Sequence, residues 1–241
     1  MKIAKLINVS HSYAGQPAIQ NVSVDFEEKK VTAIIGRSGS GKSTLLQFLN
    51  GLIKPSAGSI SVFGEGMNYQ EISATRLRMG YMVQGTGLFP HITIAENISI
   101  AARISSYPLD VNERVRELMT LVGLPDFFQR KYPFELSGGE QQRVGICRAL
   151  FLNPSILLMD EALGALDPIT RQEIQSEILK LQKIEPRTIL LVTHDMREAK
   201  ILADYILVID KGEVQQYDAK EKVLQSPANT VVEKLIEASV W

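Results

Sequence analysis

Hydrophobic residues in this chain follow two patterns, unbroken apolar runs and apolar positions three or four residues apart. The unbroken runs are rich in β-branched residues and predict strands that are buried on both faces, as in a parallel sheet. The clearest of the predicted strands cover residues 31–35, 156–161 and 188–193. Further strands are predicted at residues 3–9, 22–26, 59–63 and 80–84, and a hairpin at residues 205–210 and 213–217.

Helix signals replace strand signals from about residue 93 to residue 152. Thr93 and Glu96 have the spacing of a capping box, in which two side chains satisfy backbone amides at a helix start. Asp110 is a second predicted helix start, and residues 218–241 predict a helical tail. The chain therefore predicts an α/β core with a helical lobe inserted into it.

Composition excludes several classes of protein. The chain has 241 residues, of which 45% are hydrophobic and 22% charged, as in an ordinary soluble domain. The net charge of −1 argues against binding to nucleic acid or anionic lipid. No apolar run is long enough to span a bilayer, and the N-terminus lacks a signal-peptide pattern. Cys147 is the single cysteine and is expected to pack inertly in a reducing compartment. We therefore expect a cytosolic protein.

Residues 36–44 read Gly-Arg-Ser-Gly-Ser-Gly-Lys-Ser-Thr and fit the phosphate-loop pattern G-x-x-x-x-G-K-[ST]. Glycines allow the backbone to approach an anion, and successive N–H groups then point toward it. Lys42 adds a positive charge, and the Ser43 hydroxyl can bind Mg²⁺. A plain Gly/Ser turn is the alternative, but a strand before the loop and a helix after it favour a nucleotide site.

Asp160 and Glu161 end one of the buried strands. Carboxylates in such a place must be paired or bind metal, and ligands of open α/β sheets bind at the carboxyl ends of parallel strands. Asp160 is therefore predicted to hold Mg²⁺ together with Ser43, and Glu161 to orient and polarise an attacking water. An acidic pair at a helix start is the alternative.

Four other residues each allow two interpretations, one as part of a binding or catalytic site and one as an ordinary structural residue. Tyr13 could stack on a purine, although a structural tyrosine is favoured by the local sequence alone. Gln84 could coordinate a metal or be merely solvated. Ser137 precedes two glycines and could bind an anion at a helix start, but a plain helix cap fits equally well. His194 could contact a phosphate or a water, although a lone histidine is usually structural.

Taken together, these motifs resemble the nucleotide-binding subunits of ATP-binding cassette (ABC) transporters over essentially the whole chain. Residues 36–44 are similar to the Walker A loop, and residues 157–161 to the Walker B strand. The other similarities are the Q-loop at Gln84, the signature at residues 137–141, the D-loop at residues 165–167, the switch histidine at His194 and the aromatic A-loop residue at Tyr13.

The resemblance implies a P-loop ABC cassette with a RecA-like core and an N-terminal antiparallel β lobe. Its single domain would cover residues 1–241, with the core and β lobe in residues 1–86 and 155–241 and a helical subdomain at about residues 87–154. Residues implied to contact ATP are Tyr13, Gly36, Arg37, Ser38, Gly39, Ser40, Gly41, Lys42, Ser43, Thr44, Gln84, Ser137, Gly138, Gly139, Glu140 and Asp167. The implied catalytic residues are Lys42, Gln84, His194 and the base Glu161, and the implied Mg²⁺ ligands are Ser43, Gln84 and Asp160.

The same resemblance implies how such a chain works. Two copies close head to tail around ATP, so that residues 137–139 of one copy contact the γ-phosphate held by the other. The helical lobe and residues 84–91 would dock a transmembrane permease subunit, which in turn works with an extracytoplasmic substrate-binding protein. The chain would then lie on the cytoplasmic face of the inner membrane, with no nucleic acid as partner.

Four stretches resemble importers of osmoprotectants such as glycine betaine, choline and carnitine, namely residues 87–93, 131–135, 165–171 and 226–229. Three features depart from the family pattern. Glu140 replaces a glutamine, which is expected to leave activity intact. Ala162 replaces a proline, which is expected to loosen the turn that holds Glu161. The sequence also stops at Trp241 without paired regulatory domains, which argues against ionic-strength sensing by this subunit.

Several alternatives remain open from the sequence. Importers of amino acids or methionine and exporters or lipoprotein-release cassettes share much of the pattern. A soluble cassette that acts on DNA or ribosomes would need a coiled-coil insertion, tandem cassettes or a basic face, none of which the sequence contains. A cassette that binds ATP without hydrolysing it is disfavoured because Lys42, Asp160, Glu161 and His194 are all present.

Overall fold

The structure, a computed structural model, describes residues 1–105, 108, 110–164 and 166–238. The chain folds into two compact units, the first made of Met1–Arg76 with Arg187–Trp241 and the second of Leu77–Pro186. Two features of the sequence, Ala165 in the D-loop and the chain end at Trp241, lie outside the described residues.

The strands of the described residues are, in chain order, β1 (Lys2–Tyr13), β2 (Gln16–Glu27), β3 (Val31–Ile35), β4 (Ala57–Val62), β5 (Glu65–Gly66), β6 (Met79–Met82), β7 (Ile156–Asp160), β8 (Thr188–Thr193), β9 (Tyr205–Asp210) and β10 (Glu213–Ala219). The α-helices are α1 (Lys42–Leu49), α2 (Ile72–Leu77), α3 (Ile94–Ser99), α4 (Ala102–Ser105), α5 (Val111–Leu121), α6 (Gly138–Leu150), α7 (Pro168–Ile184), α8 (Met196–Leu202), α9 (Lys220–Gln225) and α10 (Thr230–Glu237). Two 3₁₀ helices cover Asp126–Arg130 and Pro133–Glu135.

The first unit contains an antiparallel sheet in the order β2-β1-β4-β5. Strands β1 and β2 form a hairpin in which Tyr13 pairs with Gln16. Ala14 and Gly15 make the turn, with φ angles of 47° and 82°. Two positive φ angles give the turn the twist that matches paired strands, which explains why a glycine stands at this point.

A second set of strands in the first unit has the order β10-β9-β3-β8. Strand β3 pairs in parallel with β8 and β9, and β9 and β10 form the predicted antiparallel hairpin. Ala33 and Ile35 of β3 pack in one buried cluster with Met196, Val223 and Val232 of α8, α9 and α10. All five residues of β3 are buried, which explains why its apolar run is unbroken rather than alternating.

In the second unit, β6 pairs in parallel with β7, and all five residues of β7 are buried. Helix α6 packs against α3, α5 and α7. The predicted helix starts at Thr93 and Asp110 are confirmed, since both side chains cap their helices.

Cys147 of α6 is buried as expected, and burial raises the pKa of its thiol far above the ordinary value. No helix of the described residues has the length and apolar character that crossing a membrane requires.

Several predicted element ends are wrong, and three of them lie beside predicted site residues or at the start of the predicted helical tail. The strand that was expected to reach Gln84 ends at Met82, and the strand that was expected to include Glu161 ends at Asp160. Met82 pairs with Met159, and Glu161 then turns away with a φ of 45°, so the ladder cannot continue. The predicted helical tail starts at Lys220 rather than Asp218, because β10 continues to Ala219.

Candidate functional site

The predicted phosphate loop joins β3 to α1 in the first unit. Gly39 and Gly41 take φ angles of 76° and 103°, which only glycine adopts without cost. A Cβ atom at Gly39 would meet nothing within 4 Å, whereas one at Gly41 would lie 2.6 Å from the carbonyl oxygen of Ala18. The loop is therefore packed against the fold on one side and open on the other, as a backbone cradle for an anion must be.

Lys42 places a buried positive charge at this loop. Only 5% of the residue is exposed, and its Nζ donates hydrogen bonds to the carbonyl oxygens of Gly36 at 3.0 Å and Arg37 at 2.9 Å. The half-buried Ser43 follows at the start of α1. A glycine face, a fixed cation and a hydroxyl at a helix N-terminus fit a phosphate group with its metal ion. Arg37 and Ser38 are exposed on the loop, and Thr44 is buried.

Tyr13 and His194 are the other predicted site residues of the first unit. Tyr13 ends β1 and leaves 46% of its surface exposed, so its ring is available to a ligand. His194 is exposed directly after β8. The next residue, Asp195, caps α8 and pairs with Arg197. The cap fixes the chain direction at the point where His194 leaves the strand.

In the second unit, the structure brings Gln84 and Glu161 together. The Gln84 side-chain amide donates a hydrogen bond to Glu161 Oε2 at 3.4 Å. Asp160 is only 6% exposed at the end of β7. Glu161 has a left-handed backbone, which is uncommon for a residue with a side chain and is often found at functional sites. The two carboxylates therefore differ in environment, one buried and one half-exposed next to an amide.

Tyr81 of β6 is a neighbour of Asp160 that the sequence analysis did not identify. Burial and the charge of Asp160 raise the pKa of Tyr81 to about 12. The phenol is therefore neutral at physiological pH and is a hydrogen-bond donor for the carboxylate. Tyr81 lies close to Asp160 because β6 and β7 are paired, with Gly80 to Met82 opposite Leu157 to Met159. The strand predicted at residues 80–84 was the signal in the sequence from which this neighbour could have been found.

The turn after Glu161 is held by two side chains that also escaped the sequence analysis. Gln142 of α6 donates to the carbonyl oxygen of Ala162. Arg171 of α7 donates to the carbonyl oxygens of Leu163 at 3.2 Å, Gly164 at 3.3 Å and Leu166 at 2.9 Å. These four hydrogen bonds hold the turn in a chain that has alanine instead of proline at position 162.

The signature segment begins α6 with a capping box. Ser137 Oγ accepts a hydrogen bond from the Glu140 amide, and the Glu140 carboxylate accepts from the Ser137 amide at 2.7 Å and hydroxyl at 2.8 Å. A glutamate at position 140 thus stabilises the helix start through a charge-assisted bond. Ser137 and Gly138 are exposed. A Cβ atom at Gly139 would lie 2.5 Å from Thr170 Cγ2, so a larger residue there would force the Thr170 side chain of α7 to shift.

Asp167 caps α7 close to this point. Its Oδ1 accepts hydrogen bonds from the amides of Ile169 at 3.1 Å and Thr170 at 3.0 Å. The hydroxyl and amide of Thr170 lower the pKa of Asp167, so the carboxylate is ionised at neutral pH. Helix starts α6 and α7 are therefore neighbours, one with Ser137 as its cap and one with Asp167.

Arg143 ties α6 to α5 and α7. Its guanidinium donates to the carbonyl oxygen of Val122 at 2.6 Å, to Glu177 Oε1 at 2.6 Å and to Glu173 Oε2 at 2.5 Å. The side chains of Arg143 and Glu177 are only 14% and 17% exposed. Burial raises the pKa of Glu177 although Arg143 opposes the rise. The Arg143 cation therefore stabilises the ionised form of Glu177, which burial disfavours.

We expect Arg143→Ala to lower the free energy of unfolding by about 3 kcal/mol, because a buried carboxylate and a carbonyl oxygen lose their partner. Glu177→Gln should cost roughly 1 kcal/mol or less, since its neutral amide oxygen still accepts from Arg143. Urea denaturation of both variants measures the difference. Equal losses would contradict the view that Arg143 is the centre of the cluster.

Comparison with known proteins settles the family. The family of ABC transporters matches residues 19–164. This chain belongs to the ABC transporter family. The choline transport ATP-binding protein OpuBA of Bacillus subtilis is 45% identical over 96% of this chain and 61% of that protein. The glycine betaine uptake system ATP-binding protein YehX of Escherichia coli K12 is 41% identical over 96% of this chain and 76% of that protein.

Solved structures with a similar fold also belong to ATP-binding cassettes. The ATP-binding cassette MJ0796, in a dimeric post-hydrolysis state with ADP and Pi, superposes with a TM-score of 0.82. It is 32% identical over 90% of this chain and 98% of that chain. The predicted P-loop cassette fold is thus confirmed. These relatives are longer proteins, since the chain spans 61% of OpuBA, 76% of YehX and 62% of the Bacillus subtilis glycine betaine/carnitine/choline transport ATP-binding protein OpuCA. The role of each site residue stays a prediction.

Proposed function

We propose that this chain hydrolyses ATP to drive an ABC importer of osmoprotectants, small quaternary amines such as choline and glycine betaine. The observation that carries the ATP assignment is the glycine loop with a buried Lys42 at its base. The substrate class rests on the names of the relatives, which include choline, glycine betaine and carnitine transport proteins. This proposal also implies that import, not export, is the direction of transport.

The chain's own residues divide the work of ATP hydrolysis. Residues 36–44 bind the phosphates through backbone amides, and Lys42 holds the terminal phosphates. Glu161 accepts the proton of the attacking water. Gln84 orients that carboxylate and water, and its 3.4 Å contact with Glu161 supports this role. His194 contacts the γ-phosphate, and Tyr13 stacks on the adenine.

Asp160, Ser43 and Gln84 are the proposed ligands of Mg²⁺. They supply one carboxylate, one hydroxyl and one amide oxygen, which is the hard-oxygen set that this ion prefers. Tyr81 supports the assignment because its neutral phenol would orient Asp160 without competing for the ion. When bound, Mg²⁺ neutralises charge on the phosphate oxygens.

We propose that two copies of the chain close head to tail on ATP. Ser137, Gly138 and Gly139 of one copy would then bind the γ-phosphate held by the other copy, with Glu140 and Asp167 beside it. Two features support this: Ser137 and Gly138 are exposed at a helix N-terminus, and α6 starts next to α7. An isolated copy would then be nearly inactive.

The remaining partners follow from the proposed import function. Transmembrane permease subunits would bind the helical lobe and residues 84–91, and an extracytoplasmic binding protein would deliver the substrate. The chain would lie on the cytoplasmic face of the membrane. Because substrate specificity resides in the other subunits, no residue of this chain would contact the quaternary amine.

The proposal is tested by reconstituting the chain in liposomes with its permease subunits and its substrate-binding protein. We expect uptake of labelled choline or glycine betaine that requires ATP and is lost in Lys42→Ala. Uptake of spermidine instead would overturn the substrate class. Spermidine is the informative competing substrate because the spermidine/putrescine import ATP-binding protein PotA of Nitrosospira multiformis is 38% identical to this chain.

Tyr13→Ala should raise the KM for ATP roughly tenfold, because stacking of a base on an aromatic ring contributes about 1–3 kcal/mol. The kcat should change little, since the ring does not contact the reacting atoms. Steady-state kinetics of wild type, Tyr13→Ala and Tyr13→Phe separate the two constants. A KM for Tyr13→Ala equal to that of the wild type would leave Tyr13 with a structural role alone.

A further inference from the structure

His11 is packed against Tyr13 at the end of β1. The ring centroids lie 4.8 Å apart with an angle of 80° between the planes, so the two rings meet edge to face. This is the favoured geometry for aromatic pairs, whose positive edge contacts a negative face. His11 is half-buried, whereas 46% of Tyr13 is exposed. His11 is therefore the better fixed of the two rings.

Two further contacts hold the His11 ring in place. It meets the Phe48 ring edge to face, with centroids 5.8 Å apart and planes at 83°. Phe48 is completely buried in α1, the helix that begins with Lys42. In addition, Ser56 Oγ lies 3.3 Å from His11 Nδ1, within hydrogen-bond distance. The Ser56 amide donates to the Ser10 carbonyl oxygen at 2.8 Å, which fixes the backbone that carries this hydroxyl.

These contacts form a continuous chain from the core of the first unit to the exposed tyrosine. Phe48 belongs to the same helix as the phosphate-binding Lys42, and His11 links it to the Tyr13 ring. Without the imidazole, Tyr13 would lose this ring contact, and its side chain would be less restricted to one rotamer. A ring that has to be ordered at the moment of binding lowers ligand affinity, whereas a preordered one does not.

We infer that His11 is a positioning residue that holds the Tyr13 ring in place for stacking on the nucleobase. The inference rests on the proposed role of Tyr13 as the base-stacking residue. His11 itself contacts no reacting atom. Its contribution should therefore be confined to nucleotide affinity and be transmitted through Tyr13.

The test is a kinetic comparison of His11→Ala and His11→Phe. We expect His11→Ala to raise the KM for ATP roughly threefold to tenfold, the effect of losing one aromatic pair, with kcat unchanged. His11→Phe keeps a ring edge against Tyr13 and should restore a KM within about twofold of the wild type. Ser56→Ala, which removes one of the two supports of the imidazole, should give a smaller rise. Thermal melting of each variant verifies that it is folded.

A double-mutant cycle decides whether His11 acts through Tyr13. In the Tyr13→Ala background, His11→Ala should cause no further rise in KM. Additive effects would overturn the inference, as would an unchanged KM in His11→Ala when Tyr13→Ala raises it; the proposed stacking role of Tyr13 would survive both results. An unchanged KM in Tyr13→Ala itself would remove the proposed role and the inference with it.

Discussion

Replacing Glu161 by glutamine should lower kcat for ATP hydrolysis by about three orders of magnitude, which is the effect expected for loss of a general base. Glutamine has nearly the same shape but cannot take a proton from water at neutral pH. Its amide can still meet Gln84, which lies 3.4 Å from Glu161 in the wild type. ATP binding should therefore be retained while turnover is lost.

The measurement is phosphate release at saturating ATP and Mg²⁺, together with the ATP dissociation constant. Glu213→Gln is the matched control because it makes the same change at an exposed position at the start of β10 and should leave kcat unchanged. Light scattering of Glu161→Gln with ATP and Mg²⁺ should show a dimer, because the bound nucleotide is not consumed. A kcat within tenfold of the wild type would contradict the assignment of Glu161 as the base.

The second large effect is expected for Gly36→Ala. A Cβ atom at this position would run into the carbonyl oxygen of Ile209 in β9 and come within 2.5 Å of Ser40 Oγ. Ile209 belongs to a strand that is paired with β10 and cannot move aside as a flexible side chain would. We expect unfolding free energy to fall by about 3 kcal/mol, the upper part of the range for overpacking. The Lys42 hydrogen bond to the Gly36 carbonyl would be displaced with the loop, so ATP binding should also be lost.

Gly66→Ala is the control for this prediction. Gly66 has no positive φ, and a Cβ atom there would meet nothing within 4 Å. The same added methyl group should then change stability by less than about 0.5 kcal/mol, as is usual at the surface. Urea denaturation and nucleotide titration of the two variants give the comparison. If Gly36→Ala were as stable as Gly66→Ala, the close approach of the loop to β9 would not be a constraint on this sequence.

The elements that the sequence predicted well are those whose causes lie in neighbouring residues. Strands β3 and β8 are unbroken apolar runs, and their predicted bounds are those of the structure. The predicted capping box at Thr93 involves a residue only three positions further on. Local spacing is enough to specify such features because the interacting groups are held together by the chain itself.

What the sequence did not reveal depends on contacts between distant segments. Arg143 meets a glutamate 34 residues away, and Gln142 meets a carbonyl oxygen 20 residues away. Neither partner can be predicted from spacing along the sequence, because the packing of α6 against α5 and α7 decides which groups come into contact. The wrong end of the strand at Glu161 has a similar origin, since its left-handed backbone is maintained by the surrounding turn rather than by its own preference.

His11 illustrates the same limit inside a functional region. Tyr13 was identified by the resemblance to the aromatic A-loop, but the residue two positions earlier gave no signal of its own. The support of the His11 ring by Phe48 and Ser56 becomes visible only in the folded chain, because both residues are distant from His11 in the sequence. Sequence motifs identify the residues that contact a ligand. The residues that hold those ligand-binding residues in place are identified only from the packing of the folded chain.

The central claim is that each ATP site is shared by two copies of the chain, and mixing two inactive variants tests it most directly. Lys42→Ala removes the phosphate-binding charge, and Ser137→Arg blocks the exposed start of α6. Each variant alone should be inactive, because every site in its dimer lacks one half. An equal mixture at the same total concentration should regain ATP hydrolysis, since a mixed dimer holds one site with both halves intact. A mixture no more active than its two components would contradict the shared site.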